Sequence, residues 1–211
     1  YKAIREQQMK KYNANIAKAQ VSMRRLHKKN PTRDEIWKGI RHKDLSRETW
    51  YFLTMLTHDD SIDKPELWEQ ARCRRCQTTE SSTHILTECQ CNRQEVIWNL
   101  AKEIWEKKGY QWRKPDLGDI LTCALPKFSK NKNGQGDSRL YQILISESAR
   151  LVWLIRNNRV INKRAQEMSA MEVKNQWIAV MDKQLTLDWD MMHPRFEKKA
   201  LPKNLGRGPP Q

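Results

Sequence analysis

The stretch CRRCQTTESSTHILTEC, residues 73–89, constrains this chain more than any other part of it. It sets Cys73, Cys76, His84 and Cys89 in the spacing C-x2-C-x7-H-x4-C. A C-x2-C pair forms a tight knuckle that offers two thiolates to one ion, and Zn2+ takes thiolate and imidazole ligands in a tetrahedron. The intervening QTTESST is polar and turn-forming, and long enough to bring the chain back. Ser82 or Thr83 would cap a short helical turn near whose start His84 lies. Five residues turn through about 500° on an α-helix, so His84 and Cys89 would not share a face, and the turn must end or loosen before Cys89. Cys91 is the rival fourth ligand. Four protein ligands leave no open position for water, so the expected ion is structural and not catalytic. Ordinary buried thiols are the plain alternative. A redox CxxC pair opens a helix after a strand, and no such pattern is present.

The remaining cysteine, Cys123, sits among Leu121, Ala124 and Leu125 and reads as a core residue. Five cysteines, four of them clustered, do not make a secreted disulfide scaffold, so an intracellular, nuclear location is expected. No apolar run reaches membrane-spanning length, and no membrane partner is expected. The chain starts at Tyr1, which suggests a fragment or a processed product of something longer.

Around the cysteines the periodicity is helical. NPTRDEIWKGI reads as a helix start, with Thr32 as cap and Glu35 as its capping-box partner. Ser46 caps RETWYFLTMLTH, where Trp50, Leu53 and Leu56 or Thr57 line one side. In NRQEVIWNLAKEIWEKKG the apolar set Val96, Ile97, Leu100, Ala101, Ile104 and Trp105 shares a face, and Gly109 supplies a left-handed stop. DLGDILTCAL is a short helix. A long helix is expected from about Ser138 to Arg164, with Leu140, Ile143, Leu144, Leu151, Leu154 and Ile155 inward. Ser169 and Glu172 open another, with Val173, Trp177, Val180, Met181 and Leu185 as its core face. The expected fold is all-α, a multi-helix bundle interrupted by one small CCHC zinc module, with basic flexible ends. Residues 1–30 form a basic helical N-terminal segment and 31–188 a helical domain containing the zinc module at 71–92. Residues 189–211 form a basic Pro/Gly-rich tail.

The net charge is +15, and it is uneven. Residues 1–33 carry Lys2, Arg5, Lys10, Lys11, Lys18, Arg24, Arg25, Lys28, Lys29 and Arg33 against Glu6 alone. The apolar positions there (Ile4, Ile16, Ala17, Val21, Met23 and Leu26) make a thin, irregular stripe, as of a weakly docked helix or an arm that orders on binding. Basic ends on a folded middle indicate a polyanion partner. Candidate phosphate contacts are Arg24, Arg25, Lys28 and Lys29, then Arg72, Arg74 and Arg75 around the knuckle. Arg113 and Lys114 beside Trp112, and Lys127, Lys130 and Lys132 in a Lys/Asn/Gly-rich loop, complete the set. His42 and His58 flank a helix and read as structural. Asp34, Glu35, Asp59, Asp60 and Asp63 fall at helix starts and loops, where capping explains them better than a two-metal site. No phosphate loop, nucleophile elbow or HExxH is present, so no enzymatic activity is expected.

The blocks YKAIREQ, IWKGIRHKDLSRETWYFL, CRRCQTTESSTHILTEC, IWNLAKEIW, LGDILTCAL and RLYQILISESARLVWLIRNNRVI occur in this order. Together they resemble the segment that follows the ribonuclease H domain in fungal non-LTR (LINE-like) retrotransposon polyproteins, over about residues 1–187. The resemblance implies a zinc-binding, nucleic-acid-binding element with Cys73, Cys76, His84 and Cys89 as ligands. It places the acidic residues of a ribonuclease H upstream of Tyr1 and gives no counterpart for the tail from His193. The expected function is a zinc-stabilised module gripping the backbone of DNA or RNA. The alternative is a scaffold that positions neighbouring polymerase or nuclease domains of a retroelement polyprotein.

Overall fold

In the computed structural model helices follow one another along the described residues, which are 2–58, 72–73, 75–90, 93–128, 134–161 and 167–191. They are α1 (Lys2–His27), α2 (Arg33–Ile40), α3 (Arg47–His58), a π turn (His84–Glu88), α4 (Gln94–Lys107), α5 (Leu117–Leu121), α6 (Gly134–Ile161) and α7 (Ala170–Met191). No strand occurs among the described residues; one isolated bridge pairs Arg72 with Thr79. The all-α expectation and its small Cys/His module are what the fold shows.

Several helix starts follow their capping chemistry. Thr32 and Glu35 satisfy each other's backbone N–H (Glu35 N to Thr32 Oγ1 3.2 Å, Thr32 N to Glu35 Oε2 2.7 Å). Ser169 and Glu172 do the same at α7, at 3.2 and 2.7 Å. Ser46 Oγ accepts from Thr49 N at 3.1 Å. A box absent from the sequence reading opens α5, where Asp116 and Asp119 exchange bonds of 3.0 and 2.9 Å. Aspartate at the third position is shorter than the usual Glu or Gln, which hides the signature. Gly109, at φ 78°, ends α4 as expected.

Helix α1 is docked along much of its length on α5, α3 and α2. Its inner face is Tyr12, Asn15, Ile16, Ala19, Ser22, Met23 and Leu26, a regular helical stripe. The stripe read as irregular because two of its members are polar. Asn15 Nδ2 donates to the carbonyl of Leu56 at 3.2 Å, near the end of α3, and Ser22 Oγ donates to Asp119. Ala17 and Val21 face solvent instead; Ile4 lies outside the described side chains.

Helix α6 is the centre of the fold, with α3, α4, α5, α7 and the π turn packed on it. From Tyr141 to Val152 almost every residue is buried, including Ser146, Ser148 and Ala149, whose small side chains let neighbours approach closely. Two of the polar members, Ser148 and Glu147, are paired across helices, while Gln142 Nε2 and Ser146 Oγ have no hydrogen-bond partner among the described residues. Ser148 Oγ accepts from Trp177 Nε1 at 2.9 Å, and Glu147 accepts from Thr49 Oγ1 at 2.6 Å and Arg150 Nε at 3.0 Å. This pairing explains why Thr49, and not Trp50, faces the core of α3: a threonine hydroxyl answers a buried carboxylate, while Trp50 is displaced outward beside Arg41. Leu154 and Leu185, expected inside, are exposed. The first falls off the side of α6 that carries buried Leu151, Val152 and Ile155; the second lies past Met181, the last buried residue among those described in α7. Trp105, Tyr110, Phe128 and Tyr141 form one aromatic cluster between α4 and α6.

Candidate metal centre

The knuckle is built by backbone hydrogen bonds. Cys73 N donates to Thr78 O at 2.9 Å and Gln77 N to Cys73 O at 2.8 Å. Gln77 takes the left-handed conformation, φ 57°, that the reversal after a C-x2-C pair requires. The return segment starts a helix capped by Ser81, whose Oγ accepts from His84 N at 3.1 Å. Ser82 and Thr83 were the expected caps; the helix in fact begins one residue earlier, so both lie inside it.

The geometric conflict between His84 and Cys89 is resolved by the π turn. Cys89 N reaches back five residues to His84 O at 2.7 Å. The wider turn brings the fifth residue back towards the first, where an α-helix would overshoot. Outside groups hold the turn open. Trp98 Nε1 donates to Leu86 O at 2.9 Å, Lys114 Nζ to Thr87 O at 2.7 Å, and Lys18 Nζ to Thr83 Oγ1 at 3.4 Å.

The donor atoms of Cys73, Cys76, His84 and Cys89 all lie within 4.8 Å of one another. Cys73 and Cys89 are buried, their sulfurs 3.7 Å apart. His84 Nδ1 is within 3.3 Å of Thr78 Oγ1, with the Glu88 carboxylate 3.8 Å away. His84 Nε2 is buried and has no hydrogen-bond partner, which makes it the nitrogen left for a metal. Burial pushes the Cys73 thiol up, but the amides of Cys76 and Arg75 with the His84 and Cys89 side chains outweigh it and bring its pKa down to about 6. A thiol held as thiolate near neutrality is what ligation needs. These four residues could bind a metal ion. Cys91 lies outside the described residues. Cys123 is buried in the main core, its pKa pushed up to about 12 by burial, and so remains a thiol.

A buried carboxylate, missed in the sequence because it stands in a polar turn, ties the knuckle to the bundle. Glu80 accepts from Arg156 Nε at 3.0 Å and lies 3.4 Å from Arg159 NH2. Its side chain is only 5% exposed, so its charge depends on those two arginines of α6.

The candidate phosphate contacts are dispersed. Arg25 and Arg113 both turn onto Asp116 and the fully buried Asp119, which engages their charges inside the fold. Lys114 is bound to the π turn, and burial lowers its pKa. Arg24 donates to Asn30 at 3.1 Å, and Arg75 pairs with Glu167 at 3.6 Å. Lys28, Lys29, Arg72 and Lys127 are exposed. Arg74, Lys130 and Lys132 lie outside the described residues, as do Asp59, Asp60 and Asp63. Trp112, beside Arg113 and Lys114, is packed against the core. His42 sits beside Asp44, and His58 stacks on Tyr12 at 5.6 Å. Comparison with family models, curated proteins and solved structures finds no match to this chain.

Proposed function

We propose that the chain is a zinc-stabilised, nucleic-acid-binding helical module of a retroelement-type protein that grips the phosphate backbone of DNA or RNA. The observation that carries this reading is α1. Its inner face is spent on the core, and the surface left to solvent displays Arg5, Lys10, Lys18 and Arg24, continued by Lys28, Lys29 and Arg33, against Glu6. A 26-residue helix is about 39 Å long, so these cations stand on a rigid rod long enough to follow a backbone. Three thiolates and one imidazole in a closed, mostly buried set suit Zn2+ as the ion, in a structural role.

Affinity for a duplex and a single strand, titrated against salt, tests the reading. Log K should fall linearly with log salt, by about 0.9 for each duplex phosphate engaged. Lys10→Ala and Arg24→Ala should each reduce that slope by about 1, with no dependence on sequence. A flat salt response, or no binding at low salt, refutes it. Metal analysis of the purified chain should return one zinc per chain.

A second reading, the scaffold, draws on α7. Met171, Ile178, Leu185 and Trp189 stand exposed on the side away from buried Val173 and Trp177. An apolar row of this kind fits a protein neighbour. On this reading Ile178→Lys with Leu185→Lys abolishes association with an adjoining polyprotein domain and leaves the salt slope untouched.

A further inference from the structure

The exposed apolar row of α7 has an internal symmetry. Met171, Ile178 and Leu185 recur every seven residues. Seven residues turn through about 700°, so the row drifts by only about 20° a step along one side of the helix. Trp189, one turn further on, extends it. Ile178 is the midpoint. Seven residues before and after it stand Met171 and Leu185, each 64% exposed. Four residues before and after it stand Lys174 and Asp182, opposite in charge and both exposed. Among the described residues no ion pair engages either of them. The basic surplus of the chain is also missing here: α7 carries Glu172, Asp182, Asp188 and Asp190 against Lys174 and Lys183. Two chains of net charge +15 can therefore meet along α7 without the repulsion that their basic helices would impose.

We propose that α7 is the interface of a homodimer, pairing antiparallel with α7 of a second copy about a two-fold axis at Ile178. Such an axis makes the contact isologous: each residue before Ile178 lies level with the one equally far after it in the other copy. Ile178 then meets itself. Met171 meets Leu185, and Lys174 meets Asp182, each twice. A seven-residue apolar repeat is also the spacing at which two helices stay in register along their length. The charges exclude the neighbouring arrangements. Parallel pairing would set Lys174 against Lys174 and Asp182 against Asp182. Moving the axis to Val180 would put Asp182 opposite Ile178 and Leu185 opposite Asn175, burying a carboxylate against an apolar side chain. This match of the row to its own reverse favours a second copy over the adjoining domain of the scaffold reading. It does not depend on the nucleic-acid reading. Helix α7 packs on α4 and α6, and α1 on α5, α3 and α2, so the pairing leaves the basic surface of α1 open.

Sedimentation equilibrium of the full chain, treated with nuclease, tests the proposal. The mass should rise with concentration from 25.2 kDa to twice that value. Ile178→Lys sets two ammonium groups together on the axis and should hold the mass at 25.2 kDa. Its melting temperature should stay that of the wild type, because the side chain it replaces is exposed. Lys174→Asp and Asp182→Lys should each weaken the dimer about tenfold, since the two-fold axis repeats every like-charge contact, and the double swap should restore wild-type association. A wild type that stays at 25.2 kDa up to its solubility limit overturns the proposal and leaves the row to an adjoining domain. A dimer indifferent to Ile178→Lys overturns it as well, because another face is then in use. So does a double swap as weak as the single ones, because Lys174 and Asp182 then do not meet.

Discussion

Replacing Cys73 by Ser leaves three donors around a position that the fold has shaped for four. Cys73→Ser should lose the metal and, with it, several kcal/mol of stability, or roughly 10 °C in melting temperature, read by metal analysis and thermal circular dichroism. An unchanged melting temperature in a metal-free chain would refute a structural ion. Asp119→Ala attacks a different buried charge. Its side chain is 0% exposed and receives Ser22, Arg25 and Arg113, so truncation strands a hydroxyl and two guanidinium groups. Both arginines are over 40% exposed and water can recover them, which limits the expected loss to about 2 kcal/mol in a urea titration. At this scale the meeting of Cys73, Cys76, His84 and Cys89 was legible because their spacing is a covalent pattern that survives in the sequence. Glu80 and Asp119 were not, because an acidic residue between turn formers looks solvated until its arginine, 76 positions away for Glu80, is in place.

At the scale of elements, boundaries followed from caps and periodicity, and misreadings came where polar residues took core positions. Asn15, Ser22 and Thr49 are each buried with a partner on another helix, and a search for apolar period alone passes over them. Trp98 was missed for a related reason: its indole is buried because Leu86 O needs a donor, a demand set by the π turn. The meeting of α1 with α5 gives a sharper prediction. A methyl group on Gly118 would overlap the Lys18 carbonyl and come within 2.9 Å of Ser22 Cβ. Backbone cannot yield there as a flexible side chain does. Gly118→Ala should therefore cost about 3 kcal/mol and loosen α1, seen as faster amide exchange across residues 12–26 than in the wild type.

For the whole molecule, pH and charge act together. Burial lowers the pKa of both His27 and His42 below 6.5. The unfolded chain therefore takes up protons first as pH falls. The contribution of these residues is full above pH 6.5 and declines as pH drops towards their folded values. Urea midpoints at pH 7.5 and 5.5 should show that decline, and His27→Phe, packed on Phe128 in the same way, should flatten it. Overall charge was legible from composition, but its distribution between fold and surface was not, since Arg25 and Arg113 are claimed internally while Lys28 and Lys29 are not. The union of Glu80 with Arg156 and Arg159 also sets a calendar for assembly. A ribosome delivers all four Cys/His donors, and the π turn that aligns two of them, well before it delivers the last turns of α6. A nascent chain can thus close its Cys/His knuckle early, yet Glu80 stays in water until synthesis has passed Arg159, and only then does the knuckle lock to the bundle.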